Sequence, residues 1–154
     1  MALIRTIADA RKFVKLVNVS SDSILPDIEG KEMLYIVPII GTALYNKLNT
    51  DFASLNTGGT GAYSMLLRHV QRTVGNIAYA DELATFQTQI TDNGVRTAET
   101  PNMTAAHSWE FKALRDDLQK KAAMGMELMI RHLFEAKASL PEWTASAEYK
   151  ALDA

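Results

Sequence analysis

A mostly α-helical fold is predicted: a helical bundle with two long antiparallel helices, shorter N-terminal helices and a small β-hairpin or projecting loop. Three features of the 154-residue chain point to it. Apolar residues recur at three-and-four spacing over two long segments, as half-buried helices require. The stretch before them is cut into short pieces by Pro26 and Pro38. Between the long segments, Asn93-Gly94 marks a tight reversal, the dipeptide most favoured in two-residue hairpin turns.

Taken in order, Thr6 is positioned to cap a short helix reaching Phe13, with Asp9 completing a capping box. Val14 and Leu16 flank Lys15, so a brief extended piece is expected through Val19. Ser21-Asp22-Ser23 offers caps for a second helix, with Pro26 tolerated in its first turn. Its apolar residues are Ile24, Leu25, Ile28, Met33, Leu34 and Ile36. Pro38 should break it, because proline disfavours helical geometry at Val37. A shorter helix resumes through Leu44, Tyr45 and Leu48.

Asn56-Thr57-Gly58-Gly59-Thr60-Gly61 reads as a loop, and a flexible linker at that. The first long helix is expected over Ala62 to Phe86, with a stripe of Tyr63, Leu66, Leu67, Val70, Val74, Ile77, Ala78 and Ala84. The second runs from about Ala105 to Ala138 on Phe111, Leu114, Leu118, Ala122, Gly125, Met129 and Leu133, widened by Met126, Ile130 and Phe134. Glycine inside a helix costs about 1 kcal/mol relative to alanine. Gly75 and Gly125 each fall near the middle of a long helix, so a close crossing at the two midpoints is expected. Pro141-Glu142-Trp143 opens a short last helix. An indole in that otherwise polar tail should anchor it to the body or to a neighbour.

The chain is one domain by length. Hydrophobic residues at 47% and charged residues at 22% exclude intrinsic disorder as its general state. A formal net charge of -2 disfavours a dedicated nucleic-acid binder, which needs clustered Lys and Arg. No cysteine is present, which removes disulfides, thiol nucleophiles and cysteine zinc sites. The N-terminus lacks the uninterrupted apolar stretch of a secretory signal, and Met33 to Ile40 is too short for a membrane span.

No catalytic constellation emerges, and no cofactor is implied. His107-x-x-Glu110 and His132-x-x-Glu135 each place two ligand types one helical turn apart. A metal site needs three or four convergent ligands, so solvated pairs or polar core histidines are the better reading. Nucleophile-elbow, His-Glu-x-x-His and P-loop patterns are all lacking. Asp116-Asp117 sit on different helix faces and break up the Lys112, Arg115, Lys120, Lys121 cluster. Met124, Met126 and Met129 suit core filling. The long connection Gln89 to Thr104 is the segment most suggestive of function, since long ordered loops in small domains often carry it. It is expected to act as an interface element rather than a substrate lid, through Ile90, Asp92, Asn93, Gly94, Val95 and Arg96, with Trp143 as a further interface candidate.

Several segments together resemble small helical head–tail connector (adaptor) proteins of tailed bacteriophages and prophages. They are Ile24-Leu25-Pro26-x-Ile28 running into Tyr35-Ile36-Val37-Pro38-Ile39-Ile40-Gly41-x-x-Leu44-Tyr45; the turn Ile90-Thr91-Asp92-Asn93-Gly94-Val95; and Pro141-Glu142-Trp143-x-x-Ser146 before Tyr149. They span most of the chain in the family's order. The resemblance implies a structural virion protein without enzymatic activity, made in the host cytoplasm and placed at the head–tail junction. It implies a homo-oligomeric ring between the portal protein and a neighbouring tail or stopper protein. DNA would pass through such a ring without sequence-specific binding, and no membrane is involved. The competing expectation is a non-viral soluble helical protein-interaction module, monomeric or dimeric. Molar mass in solution and electron microscopy discriminate the two.

Overall fold

The structure is a computed structural model that describes the backbone of residues 1–14, 25–91, 94–97 and 106–154, and the side chains of 1–14, 25–82 and 112–154. It is mostly helical. The expected extended piece after Val14 lies outside the described residues.

Helix α1 (Ile7–Arg11) begins where its cap dictates. Thr6 Oγ1 accepts from the Asp9 backbone N–H at 3.2 Å, and Asp9 Oδ2 accepts from the Thr6 N–H at 3.1 Å, a complete capping box. A 3₁₀ turn (Leu25–Asp27) leads into α2 (Ile28–Tyr35). α2 with its C-cap buries Ile28, Glu32 and Ile36, spaced by four residues. Met33 and Leu34, expected in the core, are instead 48% and 65% exposed, because the buried face of so short a helix is a single row. The helix also ends at Tyr35, two residues before Val37, where Pro38 was expected to end it, and Val37 is itself the first residue of the next helix. Pro38 sits in the first turn of α3 (Val37–Ile40), where its missing N–H leaves no bond unmade.

Gly41, at φ +80°, ends α3 and starts α4 (Thr42–Thr50). The left-handed backbone there favours glycine, and a Cβ would also crowd the Ser146 Cβ at 3.2 Å. α4 buries Leu44, Tyr45 and Leu48, and α5 (Phe52–Leu55) adds Phe52. The glycine loop that follows is not a free linker: Arg68 Nη2 donates to the carbonyls of Gly58 and Gly59.

α6 (Ala62–Gln87) is the axis of the molecule. From Ala62 to Ala80 none of its residues is exposed. Its buried set includes the expected Leu66, Leu67, Val70, Val74 and Ala78, but also Ser64, Gln71, Thr73, Asn76 and Tyr79. β1 (Thr88–Thr91) and β2 (Gly94–Thr97) follow, paired antiparallel with Ile90 opposite Val95 and Gln89 opposite Arg96.

α7 (Ala106–Glu135) packs along α6 on the narrow row Leu118, Ala122, Gly125, Met129 and Leu133. The α7 residue His132 meets Ala62, and Gly125 meets Thr73, so the two helices run in opposite directions. Gly125 lies at the crossing: a Cβ there would come within 2.7 Å of Thr73 Oγ1. Gly75 does not face it. It lies against the Ala10 carbonyl at the end of α1, on another flank of α6. A 3₁₀ turn (Lys137–Ser139), α8 (Pro141–Thr144) and α9 (Ala147–Leu152) complete the chain. Among the described residues no helix is long and apolar enough to cross a membrane.

Candidate interaction surface

Four places in the fold gather polar or aromatic groups with the potential for function. The first is a buried polar network beneath the N-terminus. Glu32 is fully buried and accepts from the Leu3 N–H at 2.9 and 3.0 Å, from the Ile4 N–H at 3.2 Å and from the Tyr45 hydroxyl at 2.7 Å. Gln71 Nε2 donates to the Leu3 carbonyl and to Asn56 Oδ1, and Asn56 Nδ2 donates to Asp9 Oδ1 at 2.9 Å. Burial pushes the Glu32 carboxyl up, although the hydrogen bonds from Tyr45, Leu3 and Ile4 oppose it. Burial and the facing Glu32 push the Tyr45 hydroxyl up as well. Asp9 goes the other way. Burial alone would raise it, but hydrogen bonds from Asn56, Thr6 and Arg5 hold it below the usual carboxylate value. The sequence reading did not single out Glu32. Its signal is the four-residue spacing Ile28, Glu32, Ile36, which places a carboxylate in the only buried row of α2.

The second place is the C-terminal clasp. Trp143 is fully buried, its Nε1–H donates to the Ile39 carbonyl at 3.0 Å, and its ring meets Phe134 and Tyr149 edge-on at 5.1 and 4.8 Å. Tyr63 donates to Glu142 at 2.7 Å, and Ser146 caps α9 by accepting from the Tyr149 N–H. Of the two anchorages expected for this indole, the structure places it in the body of its own chain. Fully buried in the single chain, Trp143 presents no surface of its own to a neighbour.

The third is a histidine pair. The His69 and His132 rings lie 5.4 Å apart where α6 meets α7, and His132 Nε2 lies 2.9 Å from the Ala62 carbonyl oxygen. Burial, then the neighbouring His132, Arg72 and Arg68, push His69 down to about 4. Glu135 is exposed rather than turned into this pair. Among the described residues no three His, Cys, Asp or Glu side chains group to hold a metal ion. The side chains of His107 and Glu110 lie outside the described residues. A cleft of about 240 Å³ beside the glycine loop, lined in part by Lys12, Asn56 and Arg68, is the fourth place. Lys12 there is already paired with Asp9 at 3.4 Å.

The predicted interface residues of the long connection divide between described and undescribed positions. Ile90, Gly94, Val95 and Arg96 belong to the paired strands, with Ile90 opposite Val95. Asp92 and Asn93, which join them, lie outside the described residues. The charged residues Asp116 and Asp117 are exposed on α7, and Asp117 pairs with Lys121 at 2.8 Å. Asp81, near the end of the described part of α6, pairs with Lys31 at 3.5 Å.

The fold and these sites define a mostly helical domain wound around one central buried helix and closed at its C-terminal end by an aromatic clasp. The chain belongs to a family of unknown function (DUF6712), whose profile matches residues 36–152. No curated protein and no solved structure matches it.

Proposed function

We propose that the chain is a structural virion protein, a ring-forming head–tail connector or adaptor between the portal and the tail. The observation that carries this reading is where the resembling segments lie in space. Tyr35 to Tyr45 and Pro141 to Tyr149 are far apart in sequence, yet they form one unit. Trp143 donates to Ile39, and Ser146 and Glu148 close over Gly41. Similarity spread over chance positions would have no reason to converge on one packed joint.

In this reading the β1–β2 segment reaches a neighbouring subunit or ring. Ile90, Asp92, Asn93, Gly94, Val95 and Arg96 are its contact residues. Strand edges suit the task, because a paired ribbon still offers unpaired backbone groups on its outer sides. Subunits of such a ring need heterologous interfaces that close on themselves.

Purified virions of the source phage or induced prophage provide the test. The protein should be found in them, at the vertex between portal and tail, in one ring. Its absence from particles that carry portal and tail ends the proposal. Replacing residues 89–104 by a Gly-Ser turn should leave the helical fold intact, since loop length costs little entropy, and should abolish incorporation.

A further inference from the structure

The outward face of α2 carries a feature that packing within the chain does not explain. Gly30 is the third residue of this helix and lies on its exposed side. A Cβ there would meet only Asp27 Oδ1, at 3.4 Å, and its backbone is not left-handed. A helical glycine is costly relative to alanine, and neither conformation nor internal packing calls for this one. On either side of it Met33 and Leu34 stand 48% and 65% exposed, and Tyr35 follows at 40%. A bare backbone flanked by large exposed apolar side chains is what a second backbone needs for close approach.

The surroundings of this patch are acidic. Asp27 and Glu29 are exposed at the start of α2, Glu29 within 3.1 Å of the N-terminal amine, and Asp81 and Glu82 lie nearby on α6. The one lysine among them, Lys31, is shared between Asp27 and Asp81 with its side chain only 12% exposed. The matching surface is on α7. Its outward ridge carries Met124, 53% exposed, with Lys120 one turn before it; of the exposed acids beside them, Asp117 is paired with Lys121 and Glu127 with Arg131, and Asp116 lies one turn before Lys120. Lys112, Arg115 and Lys120 make no ion pair among the described residues, in contrast to Lys121 and Arg131. Among the described residues α2 and α7 pack chiefly on α6, and their outward side chains Met33, Leu34 and Met124 stand exposed.

We infer that the α2 face around Gly30 docks the Lys120–Met124 ridge of α7 from a second copy of this chain, an interface that joins two different surfaces. It rests on the ring reading for its closure, because a contact between unlike faces propagates from copy to copy and ends only in a ring or a filament. Complementary charge around an apolar centre sets the register.

The absence of native cysteine makes the contact directly testable. Full-length Leu34→Cys and Met124→Cys chains of different tag length are mixed and oxidised, with Lys150→Cys as an exposed control. The expected product is the mixed Leu34→Cys/Met124→Cys dimer, at least tenfold above either variant alone and above the control pairings. The double variant should give a ladder of multimers. Adding Lys120→Glu should cut the mixed product several-fold, and pairing it with Glu29→Lys on the partner should restore it. Cross-linking of Leu34→Cys to itself, or none above the control, overturns the inference. Electron microscopy of the uncross-linked chain separates the two failures. Rings that form without this link leave the ring reading standing and discard only the surface. Closed two-fold dimers through Leu34→Cys discard both.

Discussion

The two ends of the chain are fixed to the same helical body by opposite chemistry. At the N-terminal end, Leu3 and Ile4 are held through their backbone N–H groups by the carboxylate of Glu32, with Tyr45 and Gln71 completing the polar shell. At the C-terminal end, Trp143, Phe134 and Tyr149 interlock by their ring edges, and a single indole N–H bond to Ile39 sets the orientation. Apolar packing of the second kind is strongly stabilising and nearly indifferent to pH. A buried carboxylate is different. It contributes specificity at a desolvation cost, and removing its partners or the group itself leaves buried polar atoms unpaired. Of the two ends, the C-terminal clasp should therefore contribute more to stability, and the N-terminal network more to its dependence on pH.

The sharpest way to break that contrast is Trp143→Ala. The loss of a fully buried indole and its cavity should cost about 3–5 kcal/mol, seen as a melting temperature lower by roughly 10 °C. Unchanged melting would mean that the clasp is not what closes the fold. Next in size is Glu32→Leu. It leaves the Leu3 and Ile4 N–H groups and the Tyr45 hydroxyl without their acceptor, and should destabilise by about 2–4 kcal/mol in urea titrations. A loss larger than that of Trp143→Ala would reverse the ranking of the two ends.

Between the ends, Gly125→Ala probes the α6–α7 crossing. The new methyl would meet Thr73 Oγ1 at 2.7 Å, so a loss of about 1–3 kcal/mol is expected. Thr73→Ala in the same chain should recover much of it, because the hydroxyl is the nearest obstacle. A double variant no better than the single would place the strain in the backbone of Thr73, 3.4 Å away.

These elements were not equally legible in the sequence. Most of α7 was: from the expected stripe, Leu118, Ala122, Gly125, Met129 and Leu133 are buried and Leu114 is half-buried, while the side chain of Phe111 lies outside the described residues. α6 was legible as a helix but not as the axis. Its apolar stripe describes one side, while Ser64, Gln71, Thr73 and Asn76 are buried by neighbours that periodicity cannot announce. Met33 and Leu34 failed for the converse reason, since apolar character says nothing about whether an element exists to cover it. Trp143 was readable as an anchor because an indole in a polar tail stands out. Glu32 was passed over because a glutamate in a helix usually means solvent. The carbonyl that receives the indole and the N–H groups that meet the carboxylate belong to distant segments, and no local pattern encodes them.

The smallest expected effect bears most directly on the two ends, and it is one of direction. Burial raises the Glu32 carboxyl above its unfolded value of about 4.3. The fold therefore binds this proton more tightly than the unfolded chain does. The stabilisation tied to the protonated form is fully present below the unfolded value and is lost as pH rises through the folded one. Gln at position 32 keeps an acceptor for Leu3 and Ile4 and carries no charge at any pH. Between pH 4.5 and 7 the Glu32→Gln chain should gain stability relative to the parent, and at the lower pH the two should converge. His69 acts in the opposite sense within the same range. Held at about 4, it is neutral in the fold, and the stability it contributes is lost as pH falls below its unfolded value near 6.5. The parent's own profile mixes the two, so the difference between parent and Glu32→Gln is the quantity to measure. His69→Gln provides the second difference, which should shrink as pH falls from 7 to 4.5. Trp143→Ala supplies the reference: its loss should be the same at both pH values. A Glu32→Gln difference that stays flat across the range would show that the N-terminal carboxylate is as well solvated as a surface group and that the contrast between the two ends is one of size alone, and one that grows toward acid would show that the hydrogen bonds from Tyr45, Leu3 and Ile4 outweigh its burial.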